Sequence, residues 1–220
     1  MDKSQTIFSV DGLRINDSWY CFDNEKYHMY FLQYPLDGNP EGLWSEQSVG
    51  HAVSHDLIHW VYQGVVLEPD AHGWNNKGIA TGSNVFYNDL WYMLYTGNAF
   101  NSHGGFGLAV SSDLHAWKRI EDGPAIIRGI PYKAKYQGMT YTCDLSADPY
   151  IYPHKIDGWF YVYINATVRE REINQKGCQL IMKSKNLMDW EIHKIAMICD
   201  DFDTTENRHS LLRPFLNIFR

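Results

Sequence analysis

The strongest constraint on how this chain folds is a seven-residue pattern that it carries three times. Ser54-His55-Asp56-Leu57-Ile58-His59-Trp60 returns as Ser111-Ser112-Asp113-Leu114-His115-Ala116-Trp117, then as Ser184-Lys185-Asn186-Leu187-Met188-Asp189-Trp190. Each copy reads Ser-x-(Asp/Asn)-Leu-x-x-Trp. Agreement at fixed positions in every copy marks an internal repeat, in which one supersecondary unit is stacked several times.

The flanks repeat with the pattern. Before each copy lies a short apolar segment: Gly50 to Val53, Gly107 to Val110, Leu180 to Lys183. Before that comes an aromatic-rich run: Tyr27 to Tyr34, Leu90 to Gly97, Gly158 to Ala166. Each run follows a turn of Asp, Asn or Gly (Asp23-Asn24-Glu25, Asn88-Asp89, Asp157-Gly158), and a further strand precedes the turn. Two strands around such a turn form a hairpin. The unit is therefore strand, turn, strand, loop, strand, corner and a fourth strand, and no long segment has helical periodicity. In the corner, Asp or Asn is expected to bind turn amides, Leu to fill the interface between units and Trp to pack between them.

Four-stranded units repeated around an axis make a β-propeller. The corner tryptophans stand 57 and 73 residues apart, longer than the about 40–45 residues of a WD40 unit, so large loops are expected. The fold class is all-β. Three blades are expected at about residues 14–65, 80–125 and 145–195, with 196–220 a degenerate or truncated fourth, in a single partial domain over 1–220.

Composition narrows the partners. The chain is 45% hydrophobic and 15% aromatic, which suits strands and a sizeable core. Its net charge of −7 disfavours a phosphate backbone as ligand, so no nucleic-acid partner is expected. The start, MDKSQTIFSVDG, has no long apolar run. No signal peptide or membrane partner is therefore expected, and the expected location is cytoplasmic. Cys21, Cys143, Cys178 and Cys199 form no Cys-x-x-Cys pair and read as reduced core thiols. His51, His55 and His59 have a ligand-like spacing only on a helix. This stretch reads as strand then turn, so neither a metal site nor a cofactor is expected. Asn16-Asp17-Ser18 and Asn165-Ala166-Thr167 match the glycosylation sequon and, without an export signal, read as chance matches.

The first strand of a propeller blade lines the central channel. Asn16-Asp17-Ser18, Gly82-Ser83-Asn84 and Ala147-Asp148-Pro149 begin the three repeats, and two carry Asp. Two readings stand for Asp17 and Asp148. They are ordinary strand-initiating turn residues, or they are channel acids of the kind glycoside hydrolysis requires.

Asn16-Asp17, Tyr27 through Tyr34-Pro35 and Gly50-His51-Ala52-Val53-Ser54-His55-Asp56-Leu57-Ile58-His59-Trp60 together resemble the N-terminal half of glycoside hydrolase family 32. Thr81-Gly82-Ser83 and Leu94-Tyr95-Thr96-Gly97 resemble its Ser-Gly-Ser and Tyr-Thr-Gly motifs, and Ala147-Asp148-Pro149 falls at its Arg-Asp-Pro. The resemblance implies a five-bladed propeller that hydrolyses β-fructofuranosides such as sucrose, inulin or levan with retention. It implies a nucleophile at Asp17, a transition-state stabiliser at Asp148 and an acid/base at Glu206. Asn16, Trp19, Gln33, Trp44 and Ser83 fall among its sugar contacts, so the implied partner is a carbohydrate.

The chain departs from the family pattern in four places. Asn-Asp-Pro-Asn-Gly is here Asn16-Asp17-Ser18-Trp19-Tyr20, the Arg of Arg-Asp-Pro is Ala147, and Glu206 is followed by Asn207 in place of Cys. The fourth is length: the pattern decays after Trp190, and a truncated, marginally stable chain that is catalytically weak or inactive is expected. Two alternatives follow: a non-catalytic carbohydrate-binding propeller, and an inverting arabinosidase or xylosidase like those of family 43.

Overall fold

The computed structural model describes residues 8–37, 47–120, 123–173 and 175–199. Among these the chain is all-β, with no helix. It divides into two compact units, Met1–Ile127 and Arg128–Arg220. The first unit holds two antiparallel sheets. One runs β1 (Leu13–Phe22), β2 (Tyr27–Pro35), β3 (Ser48–Ser54), β4 (Val61–Leu67), in chain order. The other runs β5 (Gly78–Tyr87), β6 (Leu90–Asn98), β7 (Gly105–Ser111), with two short pieces, β8 (Lys118–Arg119) and β9 (Ile126–Ile127), both paired to β7. Chain-order antiparallel sheets are what hairpin-connected repeats produce.

The second unit holds one sheet, in the order β10 (Tyr132–Tyr136), β11 (Met139–Leu145), β13 (Phe160–Val168), β14 (Gly177–Ser184), β15 (Glu191–Ile198). A short β12 (Tyr150–Ile151) also pairs with β13. The sequence reading began this repeat near residue 145 and missed β10. Its hairpin to β11 turns on Gln137 and Gly138, both at positive φ. Gln137 in that place carries none of the usual turn signal.

The repeated corner explains the pattern atom by atom. Ser54 Oγ accepts from the amides of Asp56 and Leu57 at 3.1 and 2.9 Å. Asp56 Oδ1 accepts from the amides of Ile58 and His59 at 2.9 and 2.8 Å. Trp60 Nε1 donates back to the Leu57 carbonyl at 3.1 Å. The same set recurs around Ser111, Asp113 and Trp117, and around Ser184, Asn186 and Trp190. These bonds hold Leu57, Leu114 and Leu187 at φ of 64°, 65° and 68°. A left-handed backbone costs a non-glycine residue roughly 1–2 kcal/mol, so the polar cage offsets a local strain.

The leucines do not share one role. Leu114 is 1% exposed and Leu187 fully buried, whereas Leu57 is 50% exposed, which corrects the expectation that every copy fills an interface. Leu114 packs with Trp19, Tyr30, Leu32, Met93 and Tyr95 in the core between the two sheets of the first unit. The opposite face of the first sheet buries Met29, Phe31 and Ala52 under Phe8 and Val10. Covered on both faces, β2 is buried at nearly every position, which is why its sequence reads as a continuous apolar run. Gly50 serves this packing: a Cβ there would meet the Phe31 ring at 2.6 Å and collide with the Gln33 amide.

A buried polar chain crosses this core. His28 Nε2 lies 3.1 Å from Asp23 Oδ2, and His28 Nδ1 lies 2.9 Å from His51 Nε2. With Asp23 as a carboxylate, each histidine carries its proton on Nε2, and His51 Nδ1 is an unprotonated nitrogen, buried with no hydrogen-bond partner among the described residues. Tyr30 stacks on the His51 ring at 4.8 Å, and the exposed His115 meets it edge-on at 4.8 Å. Burial, then the neighbouring His28 and His115, push the His51 pKa down to about 3. Burial also lowers that of His28, against the pull of Asp23.

The four cysteines are present as thiols. Hydrogen bonding with Cys143, together with burial, keeps the Cys178 thiol protonated well above its ordinary range.

Two outcomes follow for stability. Leu114→Ala is expected to cost about 2–5 kcal/mol and Leu57→Ala less than about 1 kcal/mol, compared by urea unfolding. His51 binds a proton in the unfolded chain near pH 6.5 but not in the folded one. Its contribution is complete above pH 6.5 and is lost as the pH falls towards about 3. Between these values it adds a slope of about 1.4 kcal/mol per pH unit. His51→Gln is expected to flatten that slope between pH 6.5 and 5.

Candidate active site

The first strand of each repeat is irregular at one and the same place. The corner serine gives a common ruler, since Ser54 pairs with Tyr27, Ser111 with Trp91 and Ser184 with Phe160. On that ruler Ile15, Ile79 and Leu145 are equivalent, paired with Gln33, Gly97 and Ala166. After each the register breaks. Asn16 and Asp17 lie in the shift between Ile15 and Ser18, and Thr81 lies in the one between Ala80 and Gly82. Ser146 to Pro149 form a wider break between Leu145 and Tyr150. Bulges re-aim side chains and are common beside active sites. This ruler keeps Asp17 and Asp148 equivalent, but the residue in their place in the second repeat is Thr81. The expected alignment on Ser83 is thereby corrected.

Asp17 and Asn16 are exposed. The Thr81 hydroxyl donates to Asp17 Oδ2 at 2.8 Å, and the Thr96 hydroxyl donates to the Thr81 carbonyl at 3.1 Å. The bulge on β5 thus orients the carboxylate on the bulge of β1.

Asp148 sits in the second unit at φ 60°. Asn165 Nδ2 donates to Asp148 Oδ2 at 2.8 Å. The Asn165 backbone closes the same loop, donating to the Ala147 carbonyl at 3.1 Å and accepting from the Ser146 amide at 2.8 Å. Gln179 on β14 donates to the Asn165 side-chain oxygen, which fixes the amide orientation and points its nitrogen at the carboxylate. Asn165 and Gln179 are both buried. A non-glycine residue held at positive φ by three local bonds is a strained position that its surroundings impose. Sequence reasoning took Asn165 for part of a chance sequon. The available signal was a polar residue inside an otherwise aromatic and aliphatic middle strand.

The expected sugar contacts fare differently. Trp19 is corrected to a core residue: it is 8% exposed, stacks on Tyr30 at 6.0 Å and donates its indole N–H to Asn84. Gln33 and Ser83 are buried too, and Gln33 Oε1 accepts from the Tyr62 hydroxyl at 3.0 Å. Trp44 and Glu206 lie outside the described residues. Of the three histidines with ligand-like spacing, His51 is buried against His28, while His55 and His59 are exposed. No group of three metal-ligating side chains occurs among the described residues.

Antiparallel sheets repeated in chain order, with bulges on β1 and β5 at one equivalent place, define blades of a β-propeller. The sequence of the Glycosyl hydrolases family 32 N-terminal domain matches residues 15–205, and the chain belongs to that family. The sucrose-6-phosphate hydrolase of Lactococcus lactis subsp. lactis is 28% identical over 180 residues, 82% of this chain and 35% of that protein. The vacuolar acid beta-fructofuranosidase 2 of a Rosa hybrid cultivar is 35% identical over 108 residues, 46% of this chain and 16% of that protein. Among solved structures, fructan 1-exohydrolase IIa from Cichorium intybus superposes with a TM-score of 0.69 at 20% identity, covering 88% of this chain and 34% of that one. The chain thus spans about a third of the length of the relatives it matches along most of its own.

Asn165→Ala removes the donor to Asp148 and, with it, the side-chain oxygen that accepts from the buried Gln179 amide. A loss of about 1–3 kcal/mol is expected, read by chemical denaturation.

Proposed function

We propose that this chain is the N-terminal part of a retaining hydrolase of β-fructofuranosides, sucrose or a phosphorylated sucrose foremost. The observation that carries the reading is the exposed Asp17 carboxylate on a strand bulge, oriented at Oδ2 by the Thr81 hydroxyl. In this reading Asp17 attacks the anomeric carbon and forms a covalent fructosyl intermediate, which water then releases with net retention. Asp148, held by Asn165, grips sugar hydroxyls as positive charge develops on the ring. Glu206 protonates the departing oxygen and then activates the water, for which a carboxyl pKa raised towards neutrality is needed. The names of the relatives, sucrose-6-phosphate hydrolase and beta-fructofuranosidase, support this substrate class.

The test is hydrolysis of sucrose, sucrose 6-phosphate and inulin by the purified chain, with released fructose followed by NMR. The expected first product is β-fructofuranose. Asp17→Asn is expected to lower kcat by a factor of about 10⁴ or more while sugar binding persists. Equal rates for the variant and the unaltered chain would remove Asp17 from the mechanism. An inverted first product would favour the family 43-like alternative.

A further inference from the structure

Position 147 is alanine where the motif that the third repeat resembles carries arginine. A guanidinium nevertheless stands at this loop. Arg128 directly follows β9 in the chain, and its Nη1 donates to the Ser146 carbonyl at 2.5 Å. The Ser146 amide donates to the Asn165 carbonyl at 2.8 Å, so both backbone polar groups of Ser146 are engaged, two residues before Asp148. This matters because Asp148 is held at φ 60°, a conformation that an unanchored loop would leave. Arg128 is half-buried. Burial lowers its pKa, while the charge of Asp148 acts in the opposite direction, as it does between near neighbours. Asp148 thus has two supports from different parts of the second unit: the Asn165 amide at one oxygen and a cation beside the loop.

We propose that Arg128 is a positioning residue, which closes the Ser146–Asp148 loop through the Ser146 carbonyl and supplies beside Asp148 the positive charge that residue 147 does not. The proposal rests on the reading of Asp148 as the carboxylate that grips the sugar. Charge and hydrogen bonding separate in the variants: Arg128→Gln keeps an N–H donor and loses the charge, whereas Arg128→Lys keeps the charge.

The experiment is a carbon-detected NMR titration of the Asp148 side-chain carboxyl in the full 220-residue chain. Arg128→Gln is expected to raise the titration midpoint by about one pH unit. Arg128→Lys is expected to stay near the unaltered chain, and adding Ala147→Arg to Arg128→Gln to bring the midpoint back down. An unmoved midpoint in Arg128→Gln, with a native amide spectrum, overturns the proposal. Should Arg128→Gln lose the native spectrum, Arg128→Met, which also removes the charge, decides in its place: a midpoint raised by about one pH unit upholds the proposal, and an unmoved one overturns it. On a hydrolysed fructoside, Arg128→Gln is expected to lower kcat about tenfold or more, with a smaller change in KM and recovery in Arg128→Lys. Absence of hydrolysis by the unaltered chain would count against the proposed function and leave the titration result intact. An unmoved midpoint would count against Arg128 and leave the proposed function intact.

Discussion

Register in each repeat depends on the corner that follows its third strand. There a serine hydroxyl, a carboxylate or amide oxygen and an indole N–H satisfy the backbone of a turn that places leucine at positive φ. Without these bonds the strain of the leucine would favour an extended backbone, and the third strand would run on instead of turning. Because side chains alternate along a strand, a one-residue slip would turn every core residue outward. The corner serine faces the start of the middle strand in every repeat, and the hairpin before that strand then sets the first. The bulge that carries Asp17 and the loop that carries Asp148 lie at the far end of this chain of registrations.

Core and site make opposite demands on the same strands. The middle strands are buried on both faces and filled with aromatic and aliphatic side chains. The first strands carry the bulges, where the ladder opens and polar groups appear. These polar groups are satisfied across strands rather than locally: Thr81 with Asp17, Asn165 with Asp148, Gln179 with Asn165. Burying such groups unpaired would be costly, so the donors behind each carboxylate are as fixed as the core around them.

Much of the Gly-His-Ala stretch that carries the family resemblance is structural. Gly50 makes room for Phe31 and Gln33, His51 joins His28 and Asp23 in a buried neutral chain, and Ala52 packs under Phe8 and Val10. Strong similarity in this segment therefore speaks for the fold, while chemistry is to be sought at the bulges. Trp19 illustrates the risk of reading chemistry from adjacency. It lies two residues from Asp17, yet strand alternation and its indole bond to Asn84 commit it to the core.

The sequence alone was enough for the all-β class, the three repeats, the hairpin turns and the equivalence of Asp17 with Asp148. Each rests on residues close together in the chain: the corner bonds span three positions, and turns and alternation are equally local. Tertiary structure decided the rest. Thr81 stands 64 residues from Asp17, and Asn165 and Arg128 stand 17 and 20 residues from Asp148. Whether Thr81 or Ser83 faces the site turns on a single bulge. Leu57 and Leu114 share one motif and one backbone conformation but differ in burial, because the neighbouring sheet rather than the local chain determines what covers a side chain. Local hydrogen bonding is written into a few residues, but the partner across a bulged ladder is selected only once distant strands have paired.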